Sequence, residues 1–339
     1  MHALVCREDG YATTMPDSAV LEDLSPFVEK AELDRPKPKN GQVVIRVARA
    51  AVNPSDEMFV QGLYGQPRRR GVPPGFEGVG EVVESGGGFM ANRLKGKRVS
   101  FFAIHSGTWA EYAVTDAAAC IPVKDGVSDE DAAGLLVNPM TAWAMFDLVK
   151  SSGAKSFVMS AAGSQLCKFI ADLAKEAGID AISIVRRDEQ IEPLKKHGAA
   201  HVLNSEADGF DAAMHALFKR EKPTIFLDAV TGPLASRIFD AMGSKARWVI
   251  YGRLDARPTV LDKPQDMIFR DKRIEGFWLS DWFRDKPIWT KALASRAVQK
   301  KFADGSWKTD ITATVPLGEA IERLPGELAK PDGKVLIAP

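Results

Sequence analysis

Five short apolar runs recur through the middle of the chain at nearly regular intervals. They begin near Phe157, Ala181, His201, Thr224 and Arg247, which gives spacings of 24, 20, 23 and 23 residues. Each gap between them holds a helical pattern of apolar residues. Alternation of strands and helices at this period predicts an α/β domain, with a doubly wound parallel sheet and helices on both of its faces.

The segment after the first run contains the clearest helix. Its apolar residues fall at positions i, i+3, i+4, i+7, i+8 and i+11, and they are Leu166, Phe169, Ile170, Leu173, Ala174 and Ala177. Gly178 follows this stripe, and a glycine at that position is typical of a helix C-terminus. We place the α/β domain that contains this helix at residues 126–262.

The first 125 residues predict a compact β domain, because short strand-like runs are separated there by glycine and proline. The predicted strands are Gln42–Val52, Gly78–Ser85, Gly96–Ala103 and Thr108–Val114. Past residue 262 we predict a strand at Arg273–Ser280, a helical stretch, strands at 310–317 and 333–339, and a helix at Glu319–Ala329. The strand-like pattern of these last segments resembles that of the N-terminal domain. Residues 263–339 are therefore expected to return to the domain formed by residues 1–125.

Composition excludes several classes of function. The chain has 339 residues, with 45 Lys and Arg against 45 Asp and Glu. A formal charge of zero argues against nucleic acid or an anionic membrane as the main partner. No apolar run is long enough to cross a membrane, and no secretory signal is visible at the N-terminus.

The cysteines and histidines do not form metal-ligand motifs. Cys6, Cys120 and Cys167 are far apart, and neither a CxxC nor an HExxH motif occurs. This spacing supports neither a disulfide framework nor a structural zinc site. A reducing, cytoplasmic location is the expectation that fits best.

The turn between the first apolar run and its helix is a candidate phosphate site. A helix N-terminus that follows a strand offers free N–H groups and the positive end of the helix dipole to a dinucleotide pyrophosphate. Ala162, Ser164 and Cys167 stand where dinucleotide-binding proteins usually have glycines, so a plain strand–helix turn remains an alternative. The predicted contacts in this turn are Ala162, Gly163, Ser164, Gln165 and Leu166.

Two arginines end the second run of the α/β domain. An acidic residue at this position would bind a ribose 2′-hydroxyl and select NAD, whereas Arg186 and Arg187 offer forked donors to a 2′-phosphate. The sequence therefore favours NADP(H) as the cofactor. Two solvated arginines beside Asp188 are the alternative interpretation.

Five longer segments carry a resemblance to a known family. They are Asn53–Gly65, Pro73–Gly88, Gly107–Val114, Asn138–Phe146 and Gly276–Trp282. In this order and spacing, the chain resembles the zinc-independent quinone oxidoreductase and 2-enoyl thioester reductase branches of the medium-chain dehydrogenase/reductase superfamily. The resemblance implies a GroES-like β domain for the substrate, a Rossmann domain, and an NADPH site in the cleft between them. It also implies a homodimer formed by pairing of the edge strands around Gly276–Ser280.

The resemblance further implies roles for individual residues. Tyr64 would donate a proton or a hydrogen bond to the substrate carbonyl, and the Asn53 amide would position nicotinamide or substrate. A tyrosine that only packs and a turn residue before Pro54 are the respective alternatives. Residues that would border the nicotinamide half of the cofactor, or else only cap and pack, are Asn138, Thr141, Tyr251, Gly252, Phe277, Trp278 and Leu279.

Zinc-dependent members of the superfamily would place a histidine before Glu77 and a cysteine near Asn53. Here Phe76 precedes Glu77 and no cysteine lies near Asn53, so no metal is expected. The expected activity is metal-independent hydride transfer from NADPH to a small molecule: a quinone, an enone or a 2-enoyl thioester. The substituted glycine positions leave open a non-catalytic NADPH-binding or interaction protein on the same scaffold.

Three consecutive arginines, Arg68, Arg69 and Arg70, follow Tyr64 closely. They could anchor an acidic part of the substrate or form a solvated loop, and the sequence does not choose. We interpret His105 and Cys167 as structural residues.

Overall fold

The computed structural model describes residues 1–14, 21–103, 105–330 and 333–339. Within these ranges the chain divides into two compact units. The first unit contains residues up to 138 and from 295 onward, and the second contains residues 139–294. In the described part of the chain, no helix combines the length and the apolar character needed to cross a bilayer.

The strands are β1 (His2–Cys6), β2 (Val28–Glu32), β3 (Gln42–Val52), β4 (Glu77–Ser85), β5 (Arg98–Phe102), β6 (Tyr112–Asp116), β7 (Cys120–Pro122), β8 (Ser156–Met159), β9 (Asp180–Val185), β10 (His201–Asn204), β11 (Ile225–Asp228), β12 (Arg247–Ile250), β13 (Arg273–Gly276), β14 (Ile311–Pro316) and β15 (Lys334–Ala338). The helices are α1 (Pro54–Val60), α2 (Phe89–Leu94), α3 (Asp129–Ala133), α4 (Val137–Ser151), α5 (Gln165–Ala177), α6 (Ile191–Lys196), α7 (Phe210–Glu221), α8 (Gly232–Ala241), α9 (Asp266–Phe269), α10 (Leu279–Asp285), α11 (Ile288–Ala303) and α12 (Ala320–Leu328).

The second unit is built on a parallel sheet in the order β10-β9-β8-β11-β12-β13. Counted from β8, this is the order 3-2-1-4-5-6 of the doubly wound nucleotide-binding fold, as the strand–helix alternation predicted. The side chains of Phe226, Phe239 and Trp248 are fully buried beside this sheet, with Trp248 stacked on Phe226 and tilted against Phe239. The order reverses between β8 and β11, and ligands of such sheets bind at the carboxyl edge near this reversal.

Helix α5 follows the sequence pattern closely. The predicted stripe is buried from Leu166 to Ala174, with Phe169, Ile170 and Ala174 each at most 2% exposed, whereas Ala177 at its end is exposed. Gly178 ends the helix in the left-handed region with φ +68°. At the other end, the Ser164 hydroxyl accepts a hydrogen bond from the Cys167 N–H and caps the helix.

The first unit is organised around β3, which has eleven residues. One side of β3 pairs with β4; the other pairs with β6 at its beginning and with β15 at its end. The seven-stranded sheet runs β14-β15-β3-β4-β5-β7, with β6 added on β3. Its buried face carries Ile45, Val82, Phe101 and Val335 among the core residues. The segments from residue 295 onward return to the first unit, whereas residues 263–294, which were predicted to do so, belong to the second unit.

Two predicted strands differ most from the structure at one end. The strand expected at Arg273–Ser280 ends at Gly276, where its neighbour β12 also ends, and α10 begins at Leu279. The strand expected at Thr108–Val114 begins only at Tyr112. The N–H groups of Thr108 and Trp109 bond instead to the loop carbonyls of Gly75 and Pro74.

The division between the units also differs from the predicted boundaries at 125/126 and 262/263. The contacts divide the chain at 138/139 and 294/295. The reason at the second boundary is β13, which adds a sixth strand to the parallel sheet and so keeps residues past 262 in the second unit. The short strands β1, β2 and β7 had no counterpart in the sequence prediction.

Candidate functional site

The turn between β8 and α5 lies at the carboxyl edge of the parallel sheet, next to the reversal of strand order. Ala161 has φ +46°, and the fully buried Ala162 donates its N–H to the Ile184 carbonyl at 3.1 Å. These two features bring the backbone of the turn into direct contact with the end of β9. Gly163 completes the turn, Ser164 caps the helix, and Gln165 and Leu166 begin α5. The N-terminus of this 13-residue helix is able to accept an anion.

Cys167 fills the last glycine position of this turn with a buried thiol. Its Sγ lies 3.4 Å from the Tyr251 hydroxyl and 3.6 Å from the Ser160 carbonyl oxygen. Burial raises the pKa of Cys167, so the thiol stays protonated and unreactive at neutral pH. This agrees with the structural interpretation of Cys167. It also gives the predicted cofactor contact Tyr251 a hydrogen-bond partner within the protein.

Arg186 and Arg187 are exposed directly after β9, beside the turn. The neighbouring Asp188, which could have favoured a ribose hydroxyl, accepts a hydrogen bond from the Asn204 side chain at 2.8 Å. Arg186 also lies near Asp255, whose pKa is lowered by hydrogen bonds from Arg257 and further by the charge of Arg186. Two guanidinium groups thus stand at the strand end where a 2′-phosphate would bind.

Asp228, at the end of β11, is a residue that the sequence reasoning missed. Its buried carboxylate accepts hydrogen bonds from the Ser160 hydroxyl at 2.5 Å and from the Trp248 indole at 2.9 Å. It also accepts the backbone N–H groups of Val230 and Thr231 at 2.9 and 3.0 Å. One carboxylate thereby ties β8, β12 and the loop after β11 together at the carboxyl edge. A lone acid at the end of an apolar run gives no sequence signal for this role.

Other predicted cofactor contacts lie at the same edge because all six strands are parallel. Gly252 follows β12, and a Cβ there would lie 3.0 Å from the Ala229 carbonyl oxygen, so the position has little room for a side chain. Phe277 follows β13 and donates its N–H to the Ile250 carbonyl at 2.8 Å. Trp278 caps α10, and Leu279 is its first residue.

Asn138 and Thr141 lie one turn apart on α4, the helix that precedes β8. Thr141 is 7% exposed, and Asn138 is half-buried. Residues three apart share a helix face, so both polar side chains are presented on one side of α4.

In the first unit, Tyr64 lies shortly after α1 and is half-buried. The Tyr64 ring packs against the Phe76 ring with a centroid distance of 4.9 Å. Phe59 in turn packs edge-on against the Phe76 ring at 5.2 Å. These contacts fix the plane of the phenol. The structure therefore gives Tyr64 a defined ring position, which a hydrogen-bond donor to substrate requires.

Asn53 has a different environment from the one that the resemblance implied. It is 1% exposed, its Nδ2 donates to Glu77 at 3.0 Å, and its Oδ1 accepts a short hydrogen bond from the Lys334 ammonium. Both atoms of the amide already have protein partners. Asn53 is thus a member of a buried polar cluster rather than a free donor toward nicotinamide or substrate.

We call Asn53, Asp56, Glu77 and Lys334 the buried polar cluster. Glu77 accepts the N–H groups of residues 136 and 137 at 3.0 and 2.8 Å, and Asp56 accepts those of residues 53 and 76 at 2.7 and 2.8 Å. Burial raises the pKa of Asp56 to about 7, raises the pKa of Glu77 and lowers the pKa of Lys334. The cluster joins α1, β4, β15 and the start of α4. The sequence reasoning missed Lys334.

The donor set around Glu77 does not fit zinc. Phe76 offers no ligand atom, and the ammonium of Lys334 places a positive charge within the cluster. Among the described residues, the group of three side chains able to share a metal ion is Asp180, His201 and Glu221. That group lies at the opposite, amino edge of the parallel sheet, because Asp180 and His201 begin β9 and β10.

The three consecutive arginines have separate environments. Arg68 is 4% exposed, pairs with Glu8 at 3.1 Å and donates to the carbonyls of Gly10 and Val60. Arg69 is exposed and donates to the His105 carbonyl at 2.7 Å. Arg70 is exposed as well. The ring of His105 bonds to Asp116 at 2.7 Å, in agreement with a structural role.

Comparison with known proteins matches two sequence families. Residues 39–125 match the family described as alcohol dehydrogenase GroES-like domain, and residues 166–295 match the family described as zinc-binding dehydrogenase. The first match lies in the β-rich unit and the second in the unit with the parallel sheet. This confirms the predicted fold class, a GroES-like β domain joined to a Rossmann domain.

Similar individual proteins come from both predicted branches. The mitochondrial enoyl-acyl-carrier-protein reductase of Arabidopsis thaliana is 31% identical over 287 residues, which cover 83% of this chain and 72% of that protein. A solved structure of a candidate NADPH:quinone reductase from Mesorhizobium loti is 54% identical, with a TM-score of 0.96, and the match covers 100% of this chain and 98% of that one.

A second solved structure, a complex of Etr1p with NADP and crotonyl-CoA, is 20% identical with a TM-score of 0.78, and the match covers 100% of both chains. At this identity the likeness concerns the fold alone. The two family matches and the Arabidopsis thaliana and Mesorhizobium loti proteins together show that the chain is an oxidoreductase of the medium-chain dehydrogenase/reductase superfamily, and that it belongs to the branch of quinone oxidoreductases and enoyl reductases.

Proposed function

We propose that this protein is an NADPH-dependent reductase that works without a metal and reduces a quinone or an activated C=C bond. The second acceptor class includes enones and 2-enoyl thioesters. When bound, NADPH supplies the hydride from its nicotinamide ring. The observation that carries the proposal is the phosphate-binding geometry of the β8–α5 turn together with Arg186 and Arg187 at the end of β9.

The cofactor site is supported by the second unit itself. The N-terminus of α5 would hold the pyrophosphate, and Arg186 and Arg187 would bind the 2′-phosphate. Asp188 is engaged by Asn204 and does not compete for a ribose hydroxyl. The name of the Mesorhizobium loti relative, at 54% identity, also points to NADPH.

The acceptor chemistry is supported by the first unit. Reduction of a quinone or enone builds negative charge on an oxygen, which a hydrogen-bond donor stabilises. The ring of Tyr64 is held by Phe76, and its phenol hydroxyl is a hydrogen-bond donor. Tyr64 would donate to this oxygen, and protonation of the product would come from the phenol or from solvent.

The absence of a catalytic metal is supported by the chemistry of the residues beside Glu77. Phe76 offers no ligand atom to zinc, and the Lys334 ammonium places a positive charge among the groups that would have to bind it. A quinone or a conjugated double bond accepts hydride without a Lewis acid because its developing charge is delocalised.

The test is oxidation of NADPH with a panel of quinones, enones and 2-enoyl thioesters, after dialysis of the protein against EDTA. We expect turnover of at least one acceptor class. The Tyr64→Phe variant keeps the ring packing but loses the hydroxyl, so its kcat is expected to fall by about 100-fold. Tyr11→Phe, at a tyrosine that is 56% exposed, is the matched control and should leave kcat unchanged.

Three outcomes would contradict parts of this proposal. Tight NADPH binding without turnover of any acceptor would favour the non-catalytic binding protein. Activity that disappears with EDTA and returns with zinc would overturn the metal-free mechanism. A Tyr64→Phe variant with unchanged kcat would show that this tyrosine only packs.

We also propose a homodimer that pairs across β13. This strand is the edge of the parallel sheet, and Ile274 on it is 39% exposed. On the nearby helix α9, Ile268 is 75% exposed and Phe269 is 81% exposed. Exposed apolar side chains beside an open strand edge are typical of an interface.

Light scattering of the parent protein should give about twice the mass of the chain. An Ile274→Pro variant should be monomeric. A monomeric parent protein would contradict the dimer.

A further inference from the structure

A cavity of about 320 Å³ opens in the first unit between the end of α1, the loop before β4 and the segment after β5. We call it the arginine cavity and define it by Phe59, Gln66, Arg69, Val72, Phe76 and Ala103. Four of these six side chains are apolar. The volume is at the lower end of the range of about 300–1,000 Å³ that ligand pockets occupy.

The arginine cavity shares a wall with the candidate site. Phe76 lines the cavity and also packs against the ring of Tyr64 at 4.9 Å. Phe59 lines the cavity and meets Phe76 edge-on. A molecule in the cavity would therefore rest on the same aromatic side chains that hold Tyr64.

The cavity has a single cationic side chain among the described residues that line it, Arg69. Within the described chain its guanidinium donates to the His105 carbonyl at 2.7 Å and has no carboxylate at ion-pair distance. A guanidinium has five N–H donors, so donors remain for a ligand. The neighbouring Arg68, by contrast, is buried and paired with Glu8.

We propose that the arginine cavity binds the acceptor and selects planar, apolar acceptors that carry one anionic group, such as a sulfonate or a carboxylate. The aromatic and aliphatic wall takes the apolar body, and Arg69 binds the anion through charge-assisted hydrogen bonds. This inference rests on the proposed reductase function. It names the substrate class that the sequence left open and assigns one of the three consecutive arginines to it.

The first test measures binding alone, by isothermal titration of the protein with naphthalene-2-sulfonate and with neutral 2-naphthol. In Arg69→Gln, the affinity for the sulfonate relative to that for the naphthol should fall about tenfold. Arg70→Gln is the matched control, since Arg70 is exposed but does not line the cavity, and should leave this ratio unchanged. Val72→Phe reduces the volume of the cavity and should weaken the binding of both ligands at least tenfold.

The second test measures NADPH oxidation with 1,4-naphthoquinone and its 2-sulfonate. The KM for the sulfonate should rise about tenfold more than the KM for the neutral quinone in Arg69→Gln. Selective sulfonate binding without reduction of either quinone, or of any enone or 2-enoyl thioester in the panel, would refute the proposed function but keep the anion selectivity of the cavity. Turnover with an unchanged sulfonate-to-naphthol ratio in Arg69→Gln would refute this inference and leave the reductase standing.

Discussion

Replacing Lys334 by methionine should lower the free energy of unfolding by about 3–5 kcal/mol. Lys334 is 5% exposed, and its ammonium donates to the Asn53 amide, which in turn donates to the buried Glu77 carboxylate. Methionine keeps most of the volume of the side chain but leaves a buried acid and a buried amide oxygen without their cationic neighbour. Urea denaturation, followed by circular dichroism, measures the loss.

The matched control is Lys330→Met, since Lys330 is an exposed lysine whose partner is Glu327 on α12. A surface ion pair of this kind contributes about 0–1 kcal/mol, so the control should unfold nearly as the parent does. Adding Glu77→Gln to Lys334→Met removes the unpaired charge and should recover part of the loss. Equal, small effects of both lysine substitutions would contradict the role of Lys334 in the buried polar cluster.

Replacing both Arg186 and Arg187 by alanine should weaken the binding of NADPH by about 100-fold and leave the affinity for NADH nearly unchanged. A hydrogen bond to a charged group contributes about 1.5–3 kcal/mol, and solvent exposure reduces that value for each arginine. Together the two groups should supply about 2.7 kcal/mol, which corresponds to this factor. Fluorescence titration of both cofactors measures the two affinities side by side.

Arg237→Ala is a suitable control, because Arg237 is exposed on α8 of the same unit and pairs with Asp211 at 3.2 Å. It should bind both cofactors as the parent protein does. A parent protein that binds NADH and NADPH equally well would refute the preference for NADPH. An unchanged NADPH affinity in the double variant would assign the 2′-phosphate to other residues.

The fold was predictable where a local pattern decides the structure. The stripe on α5 and the regular spacing of β8 to β12 depend on residues close together in sequence, and both predictions are confirmed. The strand expected over Arg273–Ser280 was too long because its end depends on where β12 ends, which the segment itself does not encode. Strand limits of this kind are set by the partner strand.

The site was predictable to a similar extent. The β8–α5 turn and Arg186 lie where the strand–helix order placed them, although their contact with a cofactor stays a prediction. Lys334 was not found because its partner Asn53 is 281 positions away along the chain, and one lysine in an apolar run has no distinctive pattern. Asp228 was not found for the same reason: its hydrogen-bond donors come from Ser160 after β8, Trp248 on β12 and the loop after β11.

The position of β15 beside β3 has a consequence for biosynthesis. Val335 and Ile337 pair with Val52 and Ala50, so a strand that is translated after the whole second unit completes a sheet that includes β3. The parallel sheet needs only residues 139–294, all of which are translated before β15. The second unit can therefore fold on the ribosome before β15 has emerged, whereas the sheet of the first unit is complete only after β15 has been translated.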